Sequence, residues 1–311
     1  MKHVALIGTG IMGAHLARRL AQAGFAVRAW NRTPDKLAPL LVHGVQACAS
    51  VRDALRDADA AIVMLSSGPV IDHVLFGADN GESIAAGSAA TPGLGAAIDA
   101  LPRGALLIVM SSIPVDTART QGEVAAARGL GYLDAPVSGG EPGARDGTLA
   151  IMCGGSEADF ARAAPLFAPL GRATRLGPVG SGQLAKLANQ VIVGGTLVAI
   201  AEALTLVERG GADPMAVREA WMGGFADSKV LRVLGERIVD GNFVHGSPAA
   251  HQLKDMRTAA ALAARMGLKL DQLDAVIERF EALEQSGEIA HDVAIVAREV
   301  ARRATGEYRH G

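Results

Sequence analysis

The chain has 311 residues, half of them hydrophobic and 20% charged, with a formal net charge of -2. A near-neutral balance without a Lys/Arg block excludes the electrostatic footprint of a nucleic-acid or anionic-membrane binder. Two distant cysteines, Cys48 and Cys153, belong to no Cys-x-x-Cys pair, which excludes a disulfide framework or a cysteine zinc site and fits a reducing cytoplasm.

The length suits about two domains. In the first half, strand and helix alternate. HVALIG (3–8) reads as a buried strand ending in glycine, IMGAHLARRLAQAG as a helix stopping at Gly24, and AVRAW (26–30) as the next strand. A helix from Pro34, a strand near Val45, a helix opened by Ser50, the strand AAIVML (60–65) and a helix after Pro69 follow. Residues 77–100, rich in glycine, alanine and serine, read as a surface excursion. Further strands are expected at 105–110, 131–136 and 148–155. Buried strands separated by helices predict an α/β fold, a doubly wound Rossmann-type parallel sheet over residues 1–178.

From residue 179 onward, helical patterns at 183–209, 214–222, 227–239, 249–266, 270–285 and 291–303 predict an all-helical second domain, entered by one long helix. No signal peptide is read, because glycines and arginines interrupt the N-terminal apolar stretch. The longest uncharged apolar run, Val191–Ala201, is shorter than the about 20 residues a membrane span needs. A cytoplasmic protein without nucleic-acid or membrane partners is expected. Apolar helices such as 191–207 call for more burial than one domain offers and predict a homodimer or homotetramer.

GTGIMG places Gly8, Gly10 and Gly13 directly after a strand and at the start of a helix. Gly8 permits the tight turn, Gly10 lets a pyrophosphate reach the backbone, and Gly13 lets helix and strand pack closely. Ile11 and Met12 complete the loop, and Leu65 ends the 60–65 run; all are assigned to dinucleotide binding. At the tip of the second strand, where a carboxylate would meet a free ribose 2′-hydroxyl, the chain has Asn31, Arg32, Thr33 and Lys36. Cations and a hydroxyl there favour a 2′-phosphate, hence NADP(H). Arg32 and Lys36 also read as solvated helix-start charges, and the nearby Asp35 leaves NAD(H) use open.

GSGQLAKLANQ (180–190) sets Lys186 in an otherwise apolar segment, with Asn189 and Gln190 at i+3 and i+4 on the same helical face. Beside a nicotinamide, such an ammonium stabilises a developing alkoxide and donates its proton. Taken alone, it reads equally well as a lysine whose head snorkels to the surface. DAPVSGG offers Ser138, Gly139 and Gly140 to a carboxylate. VMSSIP places Ser111 and Ser112 at another strand end, and QLKDM puts Lys254 on a later helix. Each of these also reads as turn chemistry or a solvated face.

Together, GTGIMG, NRT, MSSIP, DAPVSGG, GSGQLAKLANQ and QLKDM, in this order over nearly the whole chain, resemble the β-hydroxyacid dehydrogenases, distant relatives of 6-phosphogluconate dehydrogenase. The resemblance implies Lys186 as the catalytic lysine and Ser138, Gly139 and Gly140 as the loop for the carboxylate of a small substrate. It also implies Ser112 and Lys254 as cofactor contacts and Asn189 as a substrate-side residue, followed by Gln190 where asparagine is frequent. The implied reaction moves a hydride between NADP(H) and a small β-hydroxyacid or its semialdehyde. An imine or promiscuous carbonyl reductase and a non-catalytic dinucleotide-binding module are the alternatives. Retention of Lys186 argues for carbonyl chemistry.

Overall fold

The computed structural model describes residues 1–77, 96–244 and 246–306, which divide into two compact units, Met1–Lys186 and Leu187–Gly311. The division falls inside the long helix, eight residues beyond the 178/179 boundary expected from the sequence. Of the 77–100 connection, residues 78–95 lie outside the described residues. Its end forms a 3-10 turn, Ala97–Ala100, with Ile98 fully buried.

The first unit opens with β1 (His3–Ile7), α1 (Ile11–Gln22), β2 (Ala26–Trp30), α2 (Ala38–Leu41) and β3 (Gln46–Ala47). It continues with α3 (Val51–Leu55), β4 (Ala60–Val63), α4 (Gly68–Ile71), β5 (Leu106–Val109), α5 (Val115–Ala127) and β6 (Gly131–Asp134). Last come β7 (Val137–Ser138), α6 (Gly140–Asp146), β8 (Leu149–Gly155), α7 (Glu157–Phe167) and β9 (Gly171–Gly177). The strands form one sheet in the order β3-β2-β1-β4-β5-β6-β8-β7, with β9 paired to β8.

All neighbouring pairs from β3 to β6 are parallel. Every residue of β4 and β5 is buried, the burial pattern of strands covered on both faces. Successive side chains enter opposite cores: Leu6, Ile62 and Ile108 join one, Ile7, Val63 and Val109 the other.

The sheet is not parallel throughout. β8, expected as a further parallel strand, runs antiparallel to β6 and β7. Only residues 139–148, most of them in α6, separate β7 from β8, whereas a parallel return takes a crossover of a dozen residues or more. β9 was not anticipated. Its sequence, GRATRLG, alternates half-buried and exposed positions without an apolar face to announce it.

The helix α8 (Ser181–Arg209) leads into the second unit, whose other helices are α9 (Pro214–Trp221), α10 (Glu236–Val239), α11 (Ala249–Arg265), α12 (Asp271–Gln285) and α13 (Val296–Thr305). No strand occurs among its described residues. Asp213 caps α9 by accepting the Met215 N–H at 3.0 Å. Arg257 ties α11 to α12 through Glu281 and Glu284 at 2.9 and 2.8 Å.

In α8, an 18-residue window has a mean hydropathy of 1.9, so by length and composition the helix could cross a membrane. This departs from the reading of 191–201 as too short. Counting only the unbroken run missed the apolar residues beyond Glu202, among them Leu204, Leu206 and Val207. The helix also packs as a core element, with Leu197, Ala201 and Leu204 buried, while Ile192 and Leu206 stay 69% and 74% exposed.

Candidate active site

The β1–α1 turn is built by steric necessity. Gly8 adopts φ +99°, and a Cβ there would overlap the Met64 carbonyl oxygen. A Cβ on Gly13 would overlap the Gly8 carbonyl oxygen, so helix and turn touch only because Gly13 lacks one. Around Gly10, by contrast, no described residue other than its two chain neighbours comes within 4 Å of the position a Cβ would take. Ile11 stands 57% exposed at the mouth of the turn, and Met12 is half-buried.

The turn is tied to the tip of β2. The Gly8 N–H donates to the Trp30 carbonyl at 2.8 Å, and the Thr9 N–H donates to Asn31 Oδ1 at 3.0 Å. Asn31 Nδ2 in turn donates to the Thr33 carbonyl at 3.0 Å. Asn31, expected to meet the cofactor, therefore braces the glycine turn against the segment carrying Arg32, Thr33 and Lys36, all three exposed. Thr9 Oγ1 is buried with no hydrogen-bond partner among the described residues.

A second set of loops grips the start of α8. Asp134, fully buried at the end of β6, accepts the Gly180 N–H at 2.7 Å on one carboxylate oxygen and the Gln183 N–H at 2.8 Å on the other. Burial pushes its carboxyl above the ordinary range; the backbone N–H bonds pull the other way and lose. Gln183 reaches across to the loop after β5. Its Oε1 accepts the Ile113 N–H at 3.0 Å, and its Nε2 donates to the Ser111 carbonyl at 2.9 Å. Ser111 Oγ accepts the Leu65 N–H at 2.8 Å, joining the loop after β4 to the same network.

Leu65, Ser112 and Lys186 are each half-buried around these loops. Lys186 lies on the second turn of the helix whose first turn Asp134 and Gln183 hold. Asp134 and Gln183 carry no motif of their own in the sequence. Their signal was a carboxylate and an amide flanking the Gly180–Gly182 bend, visible only once the strand end and the helix start are known to meet.

Ser138 ends β7, and Gly139 (φ +135°) and Gly140 open α6, Gly140 being exposed. His15 Nε2 lies 3.3 Å from Glu141 Oε1, linking α1 to this loop. Thus the glycine turn, Arg32 with Thr33 and Lys36, Leu65, Ser112, the Ser138–Gly140 loop and Lys186 all belong to the first unit, most of them on loops that follow its strands. Open α/β sheets bind ligands there.

In the second unit, Asn189 and Gln190 continue α8 on the face of Lys186. Gln190 is buried, its Oε1 accepting from Asn189 Nδ2 at 2.9 Å and its Nε2 donating to Gln252 Oε1 at 2.8 Å. Expected beside a substrate, Gln190 pairs with α11. Lys254 is half-buried, 3.0 Å from Asp255.

The residues present fit a nicotinamide dinucleotide. Gly8 and Gly13 close the turn, the open side of Gly10 and the N-terminus of α1 suit a pyrophosphate, and the buried Thr9 hydroxyl lacks a partner among the described residues. Fold and site define a dinucleotide-dependent oxidoreductase.

Residues 3–180 match the NAD binding domain of 6-phosphogluconate dehydrogenase, and residues 180–300 match the NAD-binding family of NADP-dependent 3-hydroxyisobutyrate dehydrogenase. The chain is 38% identical to a 2-hydroxy-3-oxopropionate reductase of Escherichia coli, over 96% of this chain and 97% of that protein. It is 37% identical to a 3-hydroxyisobutyrate dehydrogenase of Pseudomonas aeruginosa, over 70% and 68%. A crystal structure of 3-hydroxyisobutyrate dehydrogenase from Salmonella typhimurium superposes with a TM-score of 0.84 at 25% identity, covering 96% of this chain and 99% of that one. The chain belongs to the β-hydroxyacid dehydrogenase family, and it is an NAD(P)-dependent hydroxyacid dehydrogenase.

Proposed function

We propose that this enzyme is an NADP(H)-preferring reductase of a small carboxylate-bearing semialdehyde, working in reverse as a β-hydroxyacid dehydrogenase, with Lys186 as general acid and base. The observation that carries the reading is the clamp on α8. Asp134 and Gln183 hold the first turn of the helix to the loops after β6 and β5, in the same unit as the glycine turn, so Lys186 is held in register with that unit.

When bound, the nicotinamide supplies or accepts the hydride. Lys186 gives its proton to the substrate carbonyl oxygen as negative charge develops there, and takes it back from the hydroxyl in oxidation. Ser138 Oγ and the N–H groups of Gly139 and Gly140 hold the carboxylate, which keeps the oxygen near the amine. Arg32, Thr33 and Lys36 receive the 2′-phosphate, and Asn31 fixes their loop to the glycine turn.

The exposed Ile192 and Leu206 on α8 favour a homodimer or homotetramer, the free cysteines Cys48 and Cys153 favour a reducing cytoplasm, and the near-neutral charge favours an enzyme with no nucleic-acid or anionic-membrane partner. The reading is tested with Lys186→Ala. Turnover of 2-hydroxy-3-oxopropionate is expected to fall about 100- to 10,000-fold, with NADPH affinity changed less than about twofold. Unimpaired turnover would remove the lysine from the chemistry.

A further inference from the structure

Three side-chain amides in the second unit form a chain whose direction is set at one end. The backbone carbonyl of Gln190 can only accept a hydrogen bond, and Gln252 Nε2 donates to it at 2.9 Å. The Oε1 of Gln252 is therefore the end available to the Gln190 side chain, which donates its Nε2 there at 2.8 Å. That leaves Gln190 Oε1 to accept from Asn189 Nδ2 at 2.9 Å. Turning over any one amide would set donor against donor or acceptor against acceptor. Because Gln190 and Gln252 are both buried, water cannot make up such a loss. The polarity thus runs from a main-chain oxygen to Asn189, which is held by its NH2 end with its Oδ1 left as the outward group. Asn189 is half-buried one helical turn beyond Lys186.

We propose that Gln252, acting through Gln190, is a positioning residue that makes Asn189 present a hydrogen-bond acceptor to the substrate, so the enzyme selects 3-oxo acids carrying a hydroxyl at C2 over those carrying a methyl in its place. This rests on the function proposed above. Hydroxyl and methyl are close in size, so the shape of a site separates them poorly. A fixed acceptor separates them well, because the methyl analogue leaves it unpaired.

The test compares 2-hydroxy-3-oxopropionate with 2-methyl-3-oxopropionate as substrates of the parent enzyme, Gln252→Leu and Asn189→Leu. In parallel, calorimetry measures binding of the two product acids, 2,3-dihydroxypropionate and 3-hydroxy-2-methylpropionate, to the NADP+-loaded proteins. The parent is expected to favour the hydroxylated substrate in kcat/KM by at least about tenfold. Gln252→Leu is expected to cut that ratio to within about threefold of unity, and Asn189→Leu to abolish it. A merely structural role for Gln252 would lower both substrates alike and leave the ratio intact. An unselective parent, or an unchanged ratio in Gln252→Leu, overturns the proposal while the reductase reading stands. Absence of turnover on both semialdehydes overturns the reductase reading; the calorimetric ratio then decides the amide chain, and equal binding of the two acids rejects it. If Gln252→Leu does not fold, the same ratios in Asn189→Leu decide.

Discussion

Replacing Asp134 by asparagine keeps the shape of the side chain and removes one acceptor. In the parent, each carboxylate oxygen serves a different N–H of the α8 start, Gly180 at 2.7 Å and Gln183 at 2.8 Å, in a site with no solvent exposure. Asparagine has one oxygen, so one of these N–H groups must face an NH2. Two buried donors are then unpaired, at about 1–3 kcal/mol each, for a total of about 2–4 kcal/mol once the neighbours relax. For a unit of this size, that corresponds to a fall in Tm of about 5–10 °C. The loosened turn leads directly into the one that carries Lys186, and a displacement of about 1 Å at a reacting group costs about 100-fold in rate. Calorimetry should therefore show the lower Tm, and steady-state kinetics a kcat reduced about 10- to 100-fold, with NADPH affinity within about twofold because the glycine turn is untouched. A variant with the parent's Tm and kcat would refute the idea that Asp134 holds the helix.

Gly13→Ala puts a methyl into the Gly8 carbonyl oxygen, and should weaken NADPH binding at least about tenfold; binding at the parent's strength would show that the turn is not the dinucleotide site. Arg32→Glu sets a carboxylate where the 2′-phosphate is proposed, and should lower the NADPH-over-NADH preference in kcat/KM by about 100-fold; an unaltered preference would mean that Arg32 is a solvated charge only. Glu288 accepts from Arg302 at 2.6 Å, and chiefly this bond holds its carboxyl below its ordinary 4.5. A depressed folded-state value stabilises above that ordinary value and is lost as pH falls through the lowered one. Glu288→Gln should therefore lower Tm at pH 7, and the gap should close in acid; a gap constant with pH would argue against the linkage. Burial pushes the Cys153 thiol up to about 12, so it should resist iodoacetamide at pH 8 in the native protein and react once unfolded.

The glycine turn and the strand–helix alternation were legible in the sequence because they rest on local demands. Gly8 and Gly13 are required by contacts within a few residues or with the adjoining strand, and the runs around Ile62 and Ile108 need only be apolar to be buried on both faces. The return of β8 was less legible, since LAIMCGG would serve in either direction and the direction depends on how much chain α6 leaves for the crossing. β9 carried no apolar alternation to announce it.

Sequence by itself determined the dinucleotide turn, the absence of a carboxylate at the β2 tip, the two-part architecture and a lysine placed one turn ahead of Asn189 and Gln190. Tertiary structure alone decided that Asp134 and Gln183 bind the start of α8 to distant loops, and that Gln190 pairs with a residue 62 positions away on α11. The physical reason is common to both cases. A buried polar side chain must find a partner wherever the fold supplies one, and that choice leaves no periodicity in the stretch of chain around it.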